Sequence, residues 1–198
     1  MKKKVFALAF VGMLMGCYPD GADYTEELDI VYSNYDVNYD FQSKGTYSMP
    51  DEIVLLTGDE DDPVDYVDDI YAEPTLELIE QNMSQLGWTR VESNADVELL
   101  PATWSTTTIY YYGGGYWCWY NPYYCGGYWY YPYPVASSYT SGTLVMTMVD
   151  PSMESGDGRI RAVWSGAING LLSDVFSFSR VENGVNQAFK QSPYLKTN

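Results

Sequence analysis

Histidine is absent from this chain, so the side chains that could carry out chemistry are its three cysteines, its 27 carboxylates, its lysines and its tyrosines. Without histidine, Ser-His-Asp and Cys-His catalysis and His-ligated zinc sites are excluded. Acid–base chemistry would need a pair of carboxylates, and no motif in the sequence favours one pair over another. We therefore predict no catalytic residue and no cofactor, and a protein that is not an enzyme. A carboxylate-based hydrolase is the weaker alternative.

The best candidate for a metal site is the acidic stretch GDEDDPVDYVDD, residues 58–69. Hard cations bind carboxylate oxygens. Against the EF-hand loop, Asp59 and Asp61 fit the first and third positions, but Pro63 and Val64 take the fifth and sixth, and Ile70 takes the twelfth. The stretch therefore favours a solvated acidic loop, and we predict no metal ligand.

Cys17 ends a segment typical of a bacterial lipoprotein signal peptide. Three lysines open the chain and residues 5–16 are apolar, which is the pattern of a secretory signal. As a helix, this run spans only about 18 Å, against roughly 30 Å of hydrocarbon. Residues 14–17, LMGC, look like a lipobox, in which the cysteine sulfur takes a diacylglyceryl group and cleavage occurs before it. The alternative is an ordinary signal peptide with a chance cysteine.

These features divide the chain into three parts. We predict a lipoprotein signal peptide over residues 1–16, a lipidated tether over 17–27, and a single domain over 28–198 with an insertion at 110–134. The expected location is the bacterial cell envelope, at the outer membrane, with the membrane as partner through the lipid on Cys17. The net charge of −17 argues against a nucleic-acid partner, which would need clustered Lys and Arg.

The two remaining cysteines, Cys118 and Cys125, lie in the insertion. In an exported protein an even pair of cysteines predicts a disulfide, and a free buried pair is the alternative. If the two face each other across a hairpin, the residue numbers of opposed pairs sum to 243. This register sets five consecutive aromatic rings opposite glycines, from the Trp117–Gly126 pair to the Gly113–Tyr130 pair, and a ring can cover a cross-strand glycine. The alternative is a Gly/Tyr-rich loop without a register.

The insertion is a block of Tyr, Trp and Gly in which no residue is charged. Its rings offer large apolar area with a polar edge, which suits sugar stacking, a membrane interface or a partner protein. Packing on the domain's own sheet is the competing interpretation. The residues that we predict as the binding surface are Tyr116, Trp117, Trp119, Tyr128 and Trp129.

Hydrophobic periodicity outside the insertion predicts an α+β domain, with an antiparallel sheet and two helices packed on one face. One helix follows Pro74 and ends at Gly87, and the other carries an apolar stripe of Val181, Val185 and Phe189. The residues that alternate at 141–149 and at 159–166 predict a strand hairpin.

Four stretches, taken in order, resemble a bacterial lipoprotein family called domain of unknown function 4136. They are NYDVNYDF with KGTY (34–41, 44–47), QLGW with ADV (85–88, 95–97), YTSGTLV with VD (139–145, 149–150), and VWSG (163–166). Gly45 interrupts the usual Lys-Thr-Tyr and Ser165 replaces a frequent Arg. The resemblance implies the fold and an envelope location. It implies no activity, because the family has no assigned catalytic residues.

The sequence therefore predicts a lipid-anchored envelope protein that acts as a non-enzymatic binding module for a glycan or a partner protein. The alternative is a structural lipoprotein without a small ligand.

Overall fold

The computed structural model confirms an α+β domain. It describes residues 30–56, 63–104, 117, 119–121, 130–134, 142–154, 159–169, 171 and 177–198. The described strands are β1 Val31–Tyr35, β2 Thr46–Ser48, β3 Val54–Leu56, β4 Asp65–Tyr66, β5 Thr89–Arg90, β6 Val97–Trp104, β7 Leu144–Glu154 and β8 Ile160–Ile168. The described helices are α1, Asp69–Gln85, and α2, Phe178–Lys190.

The strands form one sheet in the order β1-β8-β7-β6-β2-β5, with β3 also on β6 and β4 on β3. The predicted hairpin is present as β7 and β8, which are antiparallel. The sheet is mixed rather than antiparallel, because β2 and β3 both run parallel to β6 and β2 runs parallel to β5. Parallel neighbours need a crossover connection, and α1 provides it.

Helix α1 begins earlier than its apolar pattern predicts. The carboxylate of Asp68 accepts a hydrogen bond from the Ile70 amide at 3.1 Å and caps the helix, so Pro74 lies inside it. Gly87 stops the helix just after its last residue, Gln85, as predicted, because φ is +92° at Gly87. The amides of Gly87 and Trp88 donate to the carbonyls of Ser84 and Met83, which is a Schellman motif.

Both helices pack on one face of the sheet, as predicted. Their buried residues include Leu76, Ile79 and Met83 of α1 and the predicted stripe of α2, and these share a core cluster with Leu99, Met146, Met148 and Trp164 of the sheet. Periodicity predicts these positions because a helix returns the same side to the sheet about every 3.6 residues.

The opposite face of the sheet is covered in part by described residues of the insertion. Trp117 is a full member of the core cluster on this face, and Tyr120 and Tyr131 pack against it. The strand residues of this cluster are Val54, Leu56, Leu100, Ala102, Trp104, Val145, Val149, Ile160, Ala162 and Ala167. The sheet therefore lies between a helical layer and an aromatic layer.

The end of the insertion is hydrogen-bonded to the neighbouring strands β8 and β1. Tyr130 exchanges backbone hydrogen bonds with Ile160 and Ala162 at 2.9 and 3.0 Å. Farther along the chain, the carbonyl oxygen of Pro134 accepts from Tyr32 Oη at 2.7 Å and Asn34 Nδ2 at 2.9 Å. Residues 130–134, at the end of the insertion, therefore contact β8 at Tyr130 and β1 at Pro134.

Neither described helix has the length and apolarity that a membrane crossing requires.

Candidate functional site

Most of the predicted site residues lie outside the described part of the chain. These are Cys17, Cys118, Cys125, Tyr116, Tyr128 and Trp129. The predicted disulfide and the register that sums to 243 fall on the same residues and stay predictions. The described chain includes Trp117 and Trp119, and the structure places these two in different environments.

Trp117 lies in the core and not on the predicted binding surface. Its side chain is fully buried and packs against the strand residues of the second core cluster. A buried ring of this size contributes packing energy to the fold, so Trp117 anchors the insertion and offers no face to a ligand.

Trp119 remains 41% exposed although it is held on two sides. Its ring stacks with Trp117 at a centroid distance of 6.3 Å and meets Tyr66 edge-on at 5.5 Å. Contacts of this type favour one orientation of each ring. The structure therefore places a partly open aromatic ring on a fixed support.

The turn that carries Trp119 is fixed by polar contacts as well. The amides of Tyr120 and Asn121 both donate to the Trp117 carbonyl at 3.0 Å. Asn121 Nδ2 donates to Glu98 Oε1 of β6 at 3.0 Å. Burial raises the pKa of Tyr120, which keeps its hydroxyl neutral at ordinary pH.

This turn forms one wall of a two-lobed groove, which we call the aromatic groove. The Trp119 lobe has a volume of about 330 Å³ and the Asn121 lobe about 630 Å³. Both lobes are lined by Ser48, Glu92 and Tyr120. The first is completed by Met49, Pro50, Asp51, Glu52, Arg90, Val91 and Trp119, and the second by Ser93, Asn94, Ala95, Glu98, Asn121, Pro151 and Ile160.

The groove is negatively charged. Among the described residues, its lining has the carboxylates Asp51, Glu52, Glu92 and Glu98 and one cation, Arg90. Arg90 Nη2 donates to Asp51 Oδ1 at 2.6 Å and to the Met49 carbonyl at 2.8 Å, and its Nη1 donates to Glu80 Oε2 at 3.3 Å. Arg90 therefore stiffens the wall and offsets the charge of Asp51, and the other three carboxylates leave the lining negatively charged.

A second polar cluster lies at the joint between the segment after β1 and the β7–β8 hairpin. Asp150 is fully buried and accepts from Tyr39 Oη at 2.8 Å and Lys44 Nζ at 3.0 Å. Burial raises the pKa of Asp150, but hydrogen bonds from Ser152, Tyr39 and Lys44 outweigh it and the pKa is lowered. Asp36, also buried, pairs with Arg161.

This cluster is a structural joint. Its charges are paired with one another, and buried charges that are paired and hydrogen-bonded hold elements in place. Burial, together with the hydrogen bond to Asp150, raises the pKa of Tyr39 far above its usual range, so Tyr39 acts only as a donor.

The acidic stretch 58–69 supplies local hydrogen bonds where the structure describes it. Asp65 Oδ1 accepts from the Tyr66 amide at 2.9 Å, and Asp68 caps α1. Among the described residues, no group of three or more Cys, Asp or Glu side chains is placed to hold a metal ion.

The sequence did not single out Tyr120, Asn121, Glu98 or Arg90 as groove residues. Glu98 and Arg90 are distant in sequence from the insertion and resemble any other charged residues of the chain. The signal that the sequence does offer is the pair Asn121-Pro122, which predicts a turn centred there, from Trp119 to Tyr124.

Similarity to known proteins extends over nearly the whole described chain. Residues 31–194 match the domain of unknown function DUF4136. A crystal structure of a DUF4136 family protein from Bacteroides thetaiotaomicron VPI-5482 is 25% identical, with a TM-score of 0.65, over 85% of this chain and 97% of that one. No curated protein matches.

Two further structures are more distant. A PelC dodecamer from Paraburkholderia phytofirmans is 12% identical with a TM-score of 0.41, over 86% of this chain and 98% of that one. A PDZ domain protein from Parabacteroides distasonis ATCC 8503 is 15% identical with a TM-score of 0.47, over 84% of this chain and 36% of that one. The family match over residues 31–194, together with the Bacteroides thetaiotaomicron structure, shows that this chain belongs to the DUF4136 family.

Proposed function

We propose that this protein is a lipid-anchored protein of the bacterial cell envelope that binds a glycan in the aromatic groove without catalysing a reaction. The observation that carries the binding role is Trp119, which is 41% exposed yet held by Trp117 and Tyr66. A ring fixed in this way loses little conformational freedom when a ligand stacks on it.

The chemistry around Trp119 suits a sugar. A pyranose ring has an apolar face of C–H groups, which packs on an aromatic ring, and an edge of hydroxyls, which needs hydrogen-bond partners. Glu98 and Asn121 supply such groups in the adjoining lobe.

The anchoring part of the proposal is supported by the first 17 residues. Lys2, Lys3 and Lys4, the apolar run 5–16 and Cys17 stand in the order of a lipoprotein signal. Cleavage before Cys17 would leave residues 18–29 between the lipid and the first described strand residues. Two or more acyl chains give stable membrane attachment.

A structural role without a small ligand is the second candidate, and it is favoured by Trp117. Because this residue is fully buried, the insertion serves the fold of the domain itself. The two roles differ in what the exposed ring of Trp119 does, so they can be separated at that residue.

The test of binding compares Trp119→Ala with Phe178→Ala. Phe178 has the same exposed fraction, 41%, but lies at the start of α2 on the helical layer. We expect wild type and Phe178→Ala to bind purified neutral envelope glycans and Trp119→Ala to lose about tenfold or more in affinity, with all three folded by circular dichroism. Equal binding by both variants, or none by wild type, would support the structural role.

The test of anchoring is the intact mass of the native protein isolated from membranes. We expect cleavage before residue 17 and an added diacylglyceryl mass, and Cys17→Ser should keep the unprocessed start. An unmodified Cys17 in the native protein would overturn the anchor and leave the glycan test unaffected.

A further inference from the structure

We propose that the aromatic groove binds an internal stretch of a linear, uncharged glycan across two neighbouring sugar subsites that meet at Tyr120. This inference rests on the proposed function, since it names the class of glycan that the same groove accepts.

The two subsites follow from the shape of the groove. The lobes of about 330 and 630 Å³ share Tyr120, Ser48 and Glu92 in their lining, so they are contiguous at that point. Each is within the size range of a single small-molecule pocket, roughly 300–1,000 Å³. A ligand that fills both must therefore be longer than one sugar ring.

Each lobe offers different chemistry. The Trp119 lobe presents an indole ring supported from behind by Trp117, and this suits stacking of one sugar face. The Asn121 lobe presents the amide of Asn121 and the carboxylate of Glu98, which are already bonded to each other at 3.0 Å and hence pre-positioned. Stacking supplies affinity in the first lobe, and hydrogen bonding orients the next sugar in the second.

The packing of Tyr120 makes the boundary between the subsites rigid. Tyr120 packs against the core cluster that contains Trp117, and its ring meets Trp117 edge-on at 6.5 Å and Trp119 edge-on at 5.8 Å. Ser48 itself is nearly buried, at 7% exposure. A boundary built on the sheet keeps the two lobes at a constant spacing, which a polymer of regular repeat can match.

The charge of the groove excludes acidic sugars. Glu92 lines both lobes, Asp51 and Glu52 line one and Glu98 lines the other. Arg90 pairs with Asp51 and with Glu80, which is outside the lining, so it offsets at most one of these four charges. A uronic acid or phosphorylated sugar would place like charges together in a partly desolvated site, which costs affinity.

The experiment is calorimetric titration of the full protein, purified from membranes in a sugar-free detergent, against oligosaccharides of one to six units. The probes are three neutral series, β1,4-linked N-acetylglucosamine, β1,4-linked glucose and α1,4-linked glucose, with galacturonate oligomers as the anionic series. We expect at least one neutral series to gain about tenfold or more in affinity between one and three units and then level off. The anionic series should bind weakly or not at all at every length.

Two variants separate the subsites. Trp119→Ala should weaken binding of short and long oligomers alike. Asn121→Ala should mainly remove the gain on lengthening, and Phe178→Ala should change neither. Each variant is first checked for an unchanged far-UV spectrum and cooperative unfolding.

The outcomes are distinct. If no neutral series binds at any length, the proposed function itself fails. If a neutral series binds with the same affinity from one unit to six, the glycan role stands and the two-subsite inference is overturned. If galacturonate oligomers bind as well as neutral ones, the preference for uncharged chains is overturned.

Discussion

The two faces of the sheet are covered by layers of very different construction. On one face, α1 and α2 bury Leu, Ile, Val, Met and Phe side chains that recur at helical spacing. On the other, the described cover comes from Trp117, Tyr120 and Tyr131 of an uncharged aromatic insertion. The first layer uses many medium-sized contacts from regular elements, and the second uses a few large rings.

This difference has a functional consequence. A helical layer closes its face, since side chains from two helices interlock over the sheet. Large rings carried on turns cover their face of the sheet less completely and leave gaps between the rings and the strands. The aromatic groove beside Trp119 is one such gap. We therefore expect one buried ring of the insertion to contribute as much to the free energy of unfolding as one buried ring on the helical face, although the insertion has fewer such positions.

The largest expected effect is at Trp117. Trp117→Ala should destabilise the domain by about 3–5 kcal/mol, because it empties a fully buried ring site. Trp164→Ala provides the matched change on the helical face, since Trp164 is also fully buried and stacks with Phe189 at 5.5 Å. Denaturant unfolding should give losses within about 1 kcal/mol of each other. A loss near zero for Trp117→Ala alone would break the comparison.

Asp150 should have the next largest effect. Asp150→Ala leaves Lys44 and Tyr39 without their buried acceptor. Because Lys44 is 22% exposed and can reach water, we expect a loss of about 2–3 kcal/mol in the free energy of unfolding. Lys44→Met, which removes the cation but keeps an apolar stem, is the companion variant. An unchanged free energy of unfolding in both variants would show that the joint does not stabilise the domain.

Asp150 of this joint and Asp96, which accepts hydrogen bonds from the amides of Gly45 and Thr46, predict how stability depends on pH. The folded-state pKa values of Asp150 and Asp96 are both lowered, the latter first by the hydrogen bond from the Gly45 amide. Their contribution is present above the unfolded-state pKa, about 3.9, and is lost as the pH falls through the lower folded-state values. Unfolding at pH 6, 4 and 3 should show this loss in wild type and a smaller one in Asp150→Asn. Parallel curves would contradict the prediction.

Gly184 tests how tightly the helical layer is packed. A Cβ at this position in α2 would lie 2.5 Å from Cγ2 of Ile168 in β8, so Gly184→Ala should cost about 1–3 kcal/mol by overpacking. At Gly45 a Cβ meets nothing within 4 Å. Gly45→Ala should therefore change the thermal midpoint little, and a similar drop in both variants would argue against close packing of α2 on β8.

The smallest effect on stability is expected at Trp119. Trp119→Ala removes ring contacts with Trp117 and Tyr66, but the site is open to water on one side and leaves no enclosed cavity, so the loss should be about 1 kcal/mol. A loss as large as that of Trp117→Ala would show that Trp119 is a core residue and would weaken the proposed groove. Thermal unfolding followed by circular dichroism decides between the two.

The sequence by itself determined the α+β class, the two helices on one face and the β7–β8 hairpin. It could do so because these features are periodic, and a period of 2 or 3.6 residues in the chain repeats on one face of a strand or helix. Gly87 could be predicted as a helix end for a local reason, since glycine readily adopts the positive φ of +92° found there.

Only the tertiary structure decided which tryptophan is buried and which is open. Trp117 and Trp119 are two residues apart in a segment without periodicity, so nothing local distinguishes them. The parallel pairing of β2 and β3 with β6, and the meeting of Arg90 and Glu98 with Tyr120, likewise depend on a crossover that joins residues distant in sequence. Such contacts form because the fold as a whole lowers its free energy by burying apolar surface. A sequence pattern reveals this burial only where it repeats with the period of a strand or a helix.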